Sequence, residues 1–416
     1  YGGQPPSIAK VQEELINKEE AIIAYFIGQE KAYAFVITQK TADLVVLPVP
    51  NDIQRATIGY QKALLDIEGF QTNTKATFGK YNQTANQLYQ KILAPLLSSL
   101  PPSVDQLLII PDGELTAIPF SALTTTSIEQ EDVDFGKLPY LLYNYQIHYA
   151  YSASLQLKNQ ERRTQIPANV RCLAMAPPYE GEDINQRGRL VQLRSTGQLE
   201  GTAQEIQAIA NHIQGQFDFS YTATEGQFKA LAPQFGILHL AMHGVADLED
   251  PNFNHLKFTD LASAADSTED NLLYHYEIAN LDLAAQLVVL SACETGVGKY
   301  EEGEGVYSLA RSFSYAGVPS IVMSLWRVND LSTSELMPLF YQNLAAGETK
   351  DAAIHKAKID FLQSSNLEYR HPFYWAAFVG IGDTSSINQS IVNWQLFGIG
   401  AALALFIGWL WWRRRS

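Results

Sequence analysis

Two side chains in this sequence have the type and the setting for nucleophilic chemistry. Cys293 follows the apolar run Leu287-Val288-Val289-Leu290 and two small residues, Ser291 and Ala292. His243 follows a second run, Ile237-Leu238-His239-Leu240-Ala241-Met242, and precedes Gly244. A thiolate is a better nucleophile than water, and an imidazole can take up a proton and hand it to a leaving group. A strand-end cysteine can equally be a small buried hydrophobe, so the pair counts only if the fold joins it. The two residues lie 50 positions apart (293 − 243 = 50). Runs of four large apolar residues are too short for an ordinary helix and suit strands buried on both faces of a parallel sheet. Open α/β sheets place their ligand crevice at the carboxyl ends of such strands. His239 sits inside its run and is read as a core histidine without a role.

This pattern resembles the dyad of caspase-like cysteine peptidases, in which the His also precedes the Cys by about 50 residues. The sequence is more similar to the CHAT family, a bacterial branch near caspases and separase. Leu240-Ala241-Met242-His243-Gly244, Leu290-Ser291-Ala292-Cys293-Glu294-Thr295-Gly296 and Ser324-Leu325-Trp326-Arg327-Val328-Asn329-Asp330 carry the resemblance. It extends roughly from Leu88 to Asp383. It implies a cysteine endopeptidase with Cys293 as nucleophile and His243 as general base and acid. The oxyanion of the tetrahedral intermediate would meet the backbone N–H groups of Gly244 and Cys293. Asp330 resembles the acid that in separase faces the basic residue before the cut, and Trp326 would wall that pocket. An acidic pocket departs from caspases, whose pocket is basic and takes Asp. Asp330 also fits a helix N-cap, as does Ser332 with Glu335 three residues later, and both readings stand at this point. Glu301, Glu302 and Glu304 read as a solvated loop before a helix, with attraction of basic substrate as a secondary role.

The elements that must position these residues alternate. Strands are predicted at Arg171–Ala176, Asp218–Thr222, Gly236–Met242, Gln286–Ala292, Pro319–Leu325 and Tyr374–Val379. Helices are predicted at Glu200–Ile213, Gly226–Ala232, Gly303–Ala316, Ser332–Leu344 and Thr349–Leu362. That order predicts an α/β fold, a caspase-like, mainly parallel sheet flanked by helices on both faces. A smaller α/β or β-rich half precedes it. There a hairpin is predicted over Ala21–Thr38, strands at Asp43–Val49, Gln106–Ile110 and Gln146–Tyr151, and helices at Ile53–Asp66 and Ala85–Leu97. This half has no dyad of its own; the resemblance implies a catalytically silent partner. The polar stretch Gln156–Asn169 suggests the boundary between a domain over 1–160 and a peptidase domain over 170–384. The long insertion between His243 and Leu281, rich in Asp, Asn and Ser, is expected to be functional or mobile.

Charge narrows the partners. With 29 basic against 44 acidic residues and a net charge of −15, nucleic acid is not expected. A protein or peptide substrate cut after a basic residue fits better. Two cysteines exclude a disulfide framework, and eight histidines show no zinc-site spacing, so no metal and no cofactor are expected. Residues 394–412 are apolar, flanked by Trp394, Trp409, Trp411 and Trp412, and stopped by Arg413-Arg414-Arg415. They predict a transmembrane helix, and with it a lipid bilayer partner and a single-pass C-terminal anchor. The side of the membrane stays open. The positive-inside rule keeps the arginines cytoplasmic and puts the peptidase across the membrane; a tail-anchored cytoplasmic enzyme is the rival. The chain starts at Tyr1, and the resemblance adds an upstream helical-repeat domain to the expectations. A non-catalytic membrane-bound interaction scaffold with a peptidase fold is the alternative to the enzyme.

Overall fold

A computed structural model describes residues 5–128, 133–166, 169–177, 204–219, 222–245, 253–258, 269–291, 300–301, 305–306 and 309–387. The chain opens with α1 (Ile8–Glu14), whose first turn is capped by the Ser7 hydroxyl accepting from the Lys10 N–H. The strands β1 (Glu20–Ile27), β2 (Ala32–Ile37) and β3 (Ala42–Val46) then form an antiparallel meander. Four helices follow: α2 (Pro50–Leu64), α3 (Ile67–Thr72), α4 (Thr74–Ile92) and α5 (Ala94–Leu97). The strands β4 (Gln106–Ile110) and β5 (Gln146–Tyr149) add to β1 in parallel. Alternation along the strands feeds two cores. Ile22 and Leu108 face α1 and α6 (Ala153–Gln165), while Ile23, Leu107 and Ile109 share a core with Tyr60, Tyr81 and Leu88 of α2 and α4.

The second half carries β6 (Cys172–Met175), a helix α7 described over 204–209, β7 (Gly215–Asp218), α8 (Glu225–Leu231) and β8 (Ile237–Leu240). Three short strands follow in the insertion, β9 (His243–Val245), β10 (His255–Lys257) and β11 (Leu272–Tyr274), and then α9 (His275–Ala279). Next come β12 (Leu287–Leu290), a small pair β13 (Tyr300–Glu301) and β14 (Gly305–Val306), α10 (Leu309–Tyr315) and β15 (Ser320–Ser324). The helices α11 (Asp330–Ala345), α12 (Lys350–Ser364) and α13 (Pro372–Trp375) lead into β16 (Phe378–Gly382).

One eleven-stranded, mostly parallel sheet runs through both halves, in the order β3-β2-β1-β4-β5-β16-β15-β12-β8-β6-β7. The halves meet where β16 runs parallel to β5, with Tyr149 opposite Ile381, and antiparallel to β15. At this seam Gly382 has φ +93°, and a Cβ there would lie 2.2 Å from the Pro319 carbonyl oxygen, so glycine is required. All four residues of β12 are fully buried. Such side chains contribute about 1.5–3 kcal/mol each to stability, which is why a polar-free run marks this strand.

Three expectations change. The stretch taken for an interdomain boundary is largely α6, and its polar side chains clamp the second half: Gln156 donates to the Gly382 carbonyl at 3.0 Å and Arg162 to the Ser314 carbonyl at 2.8 Å. The last strand is not Tyr374–Val379, because Pro372 opens the helical turn α13 and the strand begins at Phe378. The membrane anchor is overturned. No helix among the described residues is long and apolar enough to cross a membrane, and the 19-residue α4 carries Lys75, Lys80 and Lys91. The span expected at 394–412 lies outside the described residues, so neither a transmembrane helix nor a bilayer partner is carried forward.

Candidate active site at one rim of the sheet

Three neighbouring parallel strands, β8, β12 and β15, end at the same rim. Leu240 pairs in register with Leu290, and Leu290 with Met323. Each of the three motifs follows one of these ends. His243 comes three residues after Leu240, Cys293 three after Leu290, and Asp330 seven after Met323. Cys293 lies outside the described residues, as do Glu302 and Glu304 of the acidic loop.

His243 opens β9 and is partly exposed. It sits opposite Lys257 of β10, with Gly244 opposite Leu256. The insertion is therefore no open loop at this point. Gly244, Leu256 and Leu273 of β9, β10 and β11 turn inward and are buried, which presses the small sheet onto the core and fixes the chain around His243. Gly244 lies in extended strand, so its value is not a left-handed turn. Two signals for these strands were weak in sequence, since each is three residues long and two begin with a histidine.

Lys229 ties this insertion to α8. Its Nζ lies 2.7 Å from Glu225, 2.6 Å from Glu269 and 2.8 Å from Glu277. Burial raises the Glu225 carboxyl to about 7, against the opposing pull of Lys229. These three carboxylates converge closely enough to hold a metal ion, but the lysine ammonium occupies the space between them.

After β15 the chain turns through Leu325, Trp326 and Val328, all buried, into α11. The Trp326 indole N–H donates to the Phe373 carbonyl at 3.1 Å and its ring stacks on Phe373, leaving 7% of the residue exposed. The cap of α11 is Asn329, whose side chain accepts from the Ser332 N–H at 3.1 Å. Neither Asp330 nor Ser332 is the cap; Asp330 is the first helical residue, and its side chain lies outside the described residues.

Behind the rim is a buried polar chain that sequence reasoning missed. His239 is fully buried, and its Nδ1 is 3.1 Å from the Tyr341 hydroxyl. Burial pushes the Cys172 thiol up to about 12, against the opposing effect of the Tyr341 hydroxyl. This thiol, at the start of β6, is free. The His239 Nε2 lies 3.2 Å from Glu205 Oε1, off the direction of a hydrogen bond. The same oxygen accepts the Ser291 hydroxyl at 2.7 Å. Glu205 is 3% exposed on α7, a segment too polar in sequence to flag one buried acid.

Comparison with known proteins agrees with this architecture. The family described as the CHAT domain matches residues 82–383. Tetratricopeptide repeat protein 28 of Homo sapiens is 25% identical over 337 residues, which is 73% of this chain and 13% of that protein. Among solved structures, the separase–securin complex of Saccharomyces cerevisiae gives a TM-score of 0.53 at 10% identity, over 90% of this chain and 31% of the other. The Arg-specific cysteine proteinase gingipain R gives a looser likeness, with a TM-score of 0.43 at 10% identity over 82% of this chain and 76% of that one. The chain thus spans under a third of the separase chain and about an eighth of the human relative. Since that relative is human, the bacterial setting implied by the sequence resemblance is not carried forward.

Proposed function

The chain belongs to the CHAT-domain family, and from that premise we propose that it is a cysteine endopeptidase using Cys293 and His243. The observation that supports this most is the register of Leu240 opposite Leu290, with the imidazole and the thiol following at equal distances along the sequence. Adjacent strands lie about 4.8 Å apart, so both residues follow from neighbouring strand ends at one rim.

In this reading the Cys293 thiolate attacks the scissile carbonyl carbon, and the electron pair of the C=O bond moves onto oxygen. The N–H groups of Gly244 and Cys293 receive that oxyanion. His243, protonated by the thiol, gives its proton to the amine as the C–N bond breaks. Water, deprotonated by His243, then hydrolyses the thioester and restores the thiol. Asp330 pairs with a Lys or Arg side chain before the cut, with Trp326 behind it. The cap at Asn329 supports this assignment, because it leaves Asp330 with no capping duty.

Cleavage-site profiling on a peptide library tests both parts. Cys293→Ala abolishes cleavage, and retained activity would overturn the nucleophile. Asp330→Ala loses the preference for Lys or Arg by about 10- to 100-fold in kcat/KM, as the loss of a charge-assisted contact predicts. A wild-type preference for acidic residues would overturn the pocket.

A further inference from the structure

We propose that Glu205 is a positioning residue for Cys293, acting through Ser291. This role rests on the peptidase reading above.

The ladder between β12 and its neighbours ends at Leu290, and Ser291 is the next residue. The first side chain past the ladder, the Ser291 hydroxyl, is taken by the Glu205 carboxylate at 2.7 Å. A hydroxyl bonded to a carboxylate is a short, strong, directional contact. It fixes the chain two residues before Cys293.

The cost of this arrangement argues that stability is not its purpose. A carboxylate at 3% exposure loses most of its hydration, and an apolar residue on α7 would fill the site without that penalty. The protein instead surrounds the acid with further polar groups. His239 Nε2 stands 3.2 Å from the same oxygen, and the Tyr341 hydroxyl lies 3.1 Å from the ring's Nδ1. Glu205, His239 and Tyr341 come from α7, β8 and α11, so three elements meet behind the Ser291 hydroxyl. Misplacing a reacting group by about 1 Å can cost about 100-fold in rate. A direction fixed this close to the nucleophile is therefore worth a buried charge.

The test uses the full chain and four variants, Ser291→Ala, Ser291→Thr, Glu205→Ala and Glu205→Gln. The readouts are kcat and KM on the peptide the wild type cleaves best, thermal midpoint, and the rate at which iodoacetamide labels Cys293. Ser291→Ala and Glu205→Ala lower kcat by about 10- to 100-fold with KM changed by less than about twofold, and slow labelling in parallel. Ser291→Thr keeps the hydroxyl and Glu205→Gln keeps a carbonyl acceptor, so both recover kcat to within about threefold of wild type. A merely structural role would lower the midpoint and leave kcat per folded molecule and the labelling rate unchanged; that result overturns the proposal. Cleavage that persists in Cys293→Ala overturns the peptidase reading and this role with it. Full kcat in Ser291→Ala, in a protein whose cleavage requires Cys293, overturns this role alone.

Discussion

The two halves of this sheet run their parallel strands in opposite directions. β1, β4 and β5 are parallel to one another and to β16, while β16 is antiparallel to β15, β15 is parallel to β12, and β12 to β8. The carboxyl ends of the first set therefore emerge at one rim and those of the second at the other. At the first rim the residues past the strands close the structure. The Asp112 carboxylate, just beyond β4, accepts the Ile27 N–H at the end of β1 at 2.7 Å, and Gly113 makes its turn with φ +57°. At the second rim the corresponding places are taken by His243, Ser291 and the chain leading to Asp330. Buried strands are alike in both halves; the difference lies in the few residues that follow them. On the proposed peptidase reading, reaction chemistry belongs to the second rim, and the first half supports it without facing it.

The strongest way to break that comparison is to exchange chemistry for inert groups at the second rim. Cys293→Ala, or His243→Ala, is expected to lower kcat/KM by at least about 1000-fold, since residues that act as a unit lose most of their effect singly. The unfolding midpoint should not move. A quenched-peptide assay beside a thermal melt measures both, and a fall in the midpoint that accounts for the lost rate would place the two residues among the structural ones.

Much of this layout was legible because burial on both faces leaves an unbroken apolar signature. Gln106–Ile110 and Leu287–Leu290 announce themselves as strands, and Asn329, Thr349 and Thr224 are cap types at the starts of real helices. The mixed α/β, mostly parallel sheet with helices around it followed from that alternation. Other features gave no such signature. α6 looked like a linker because its clamping groups, Gln156, Arg162 and Arg163, reach backbone carbonyls far along the chain, at Gly382, Ser314 and Ser386. The joining of β5 to β16 rests on a register between Tyr149 and Ile381, and no local pattern encodes a pairing that distant. At the site, His239 was read as a core histidine and is one, but its partner Glu205 lies in a helix whose polar neighbours hide it. The strands β9, β10 and β11 were invisible as a sheet because three-residue strands carry too little alternation to be told from loop.

A second, smaller effect sharpens what the insertion contributes. Lys229→Met removes the cation shared by Glu225, Glu269 and Glu277 and leaves three carboxylates facing one another. Breaking a buried pair by removing one partner costs about 3–5 kcal/mol; these groups keep some contact with water, so about 3 kcal/mol is expected. Urea denaturation reads this as a lower midpoint. An unchanged midpoint would show that the cluster is not what holds the insertion carrying His243 against α8.

The first half offers a pH-dependent counterpart. Burial, and then the nearby Asp351 carboxylate, raise the Glu20 carboxyl from 4.5 to about 7. The folded protein holds a proton there that the unfolded chain releases at lower pH. This contribution to stability is therefore fully present below about pH 4.5 and is lost as pH rises through 7. Glu20→Gln stays uncharged throughout. It should be more stable than the wild type by about 2 kcal/mol at pH 8 and no different at pH 4.5. Denaturation midpoints at the two pH values check this, and a stabilisation equal at both would mean that proton uptake is not its source.

The smallest expected effect tests the quiet rim directly. Asp112→Ala removes the acceptor of the Ile27 N–H, a contact between the ends of β1 and β4. The site is only partly buried, so the freed N–H can turn to water and the loss should be about 1 kcal/mol. Asp112→Asn keeps a carbonyl acceptor and should restore most of it. Neither variant should change kcat, because the contact faces away from the rim that carries His243 and no strand end connects the two. A fall in kcat of tenfold or more at full folding would mean that the sheet transmits position from one rim to the other, and the division of labour between the halves would have to be abandoned.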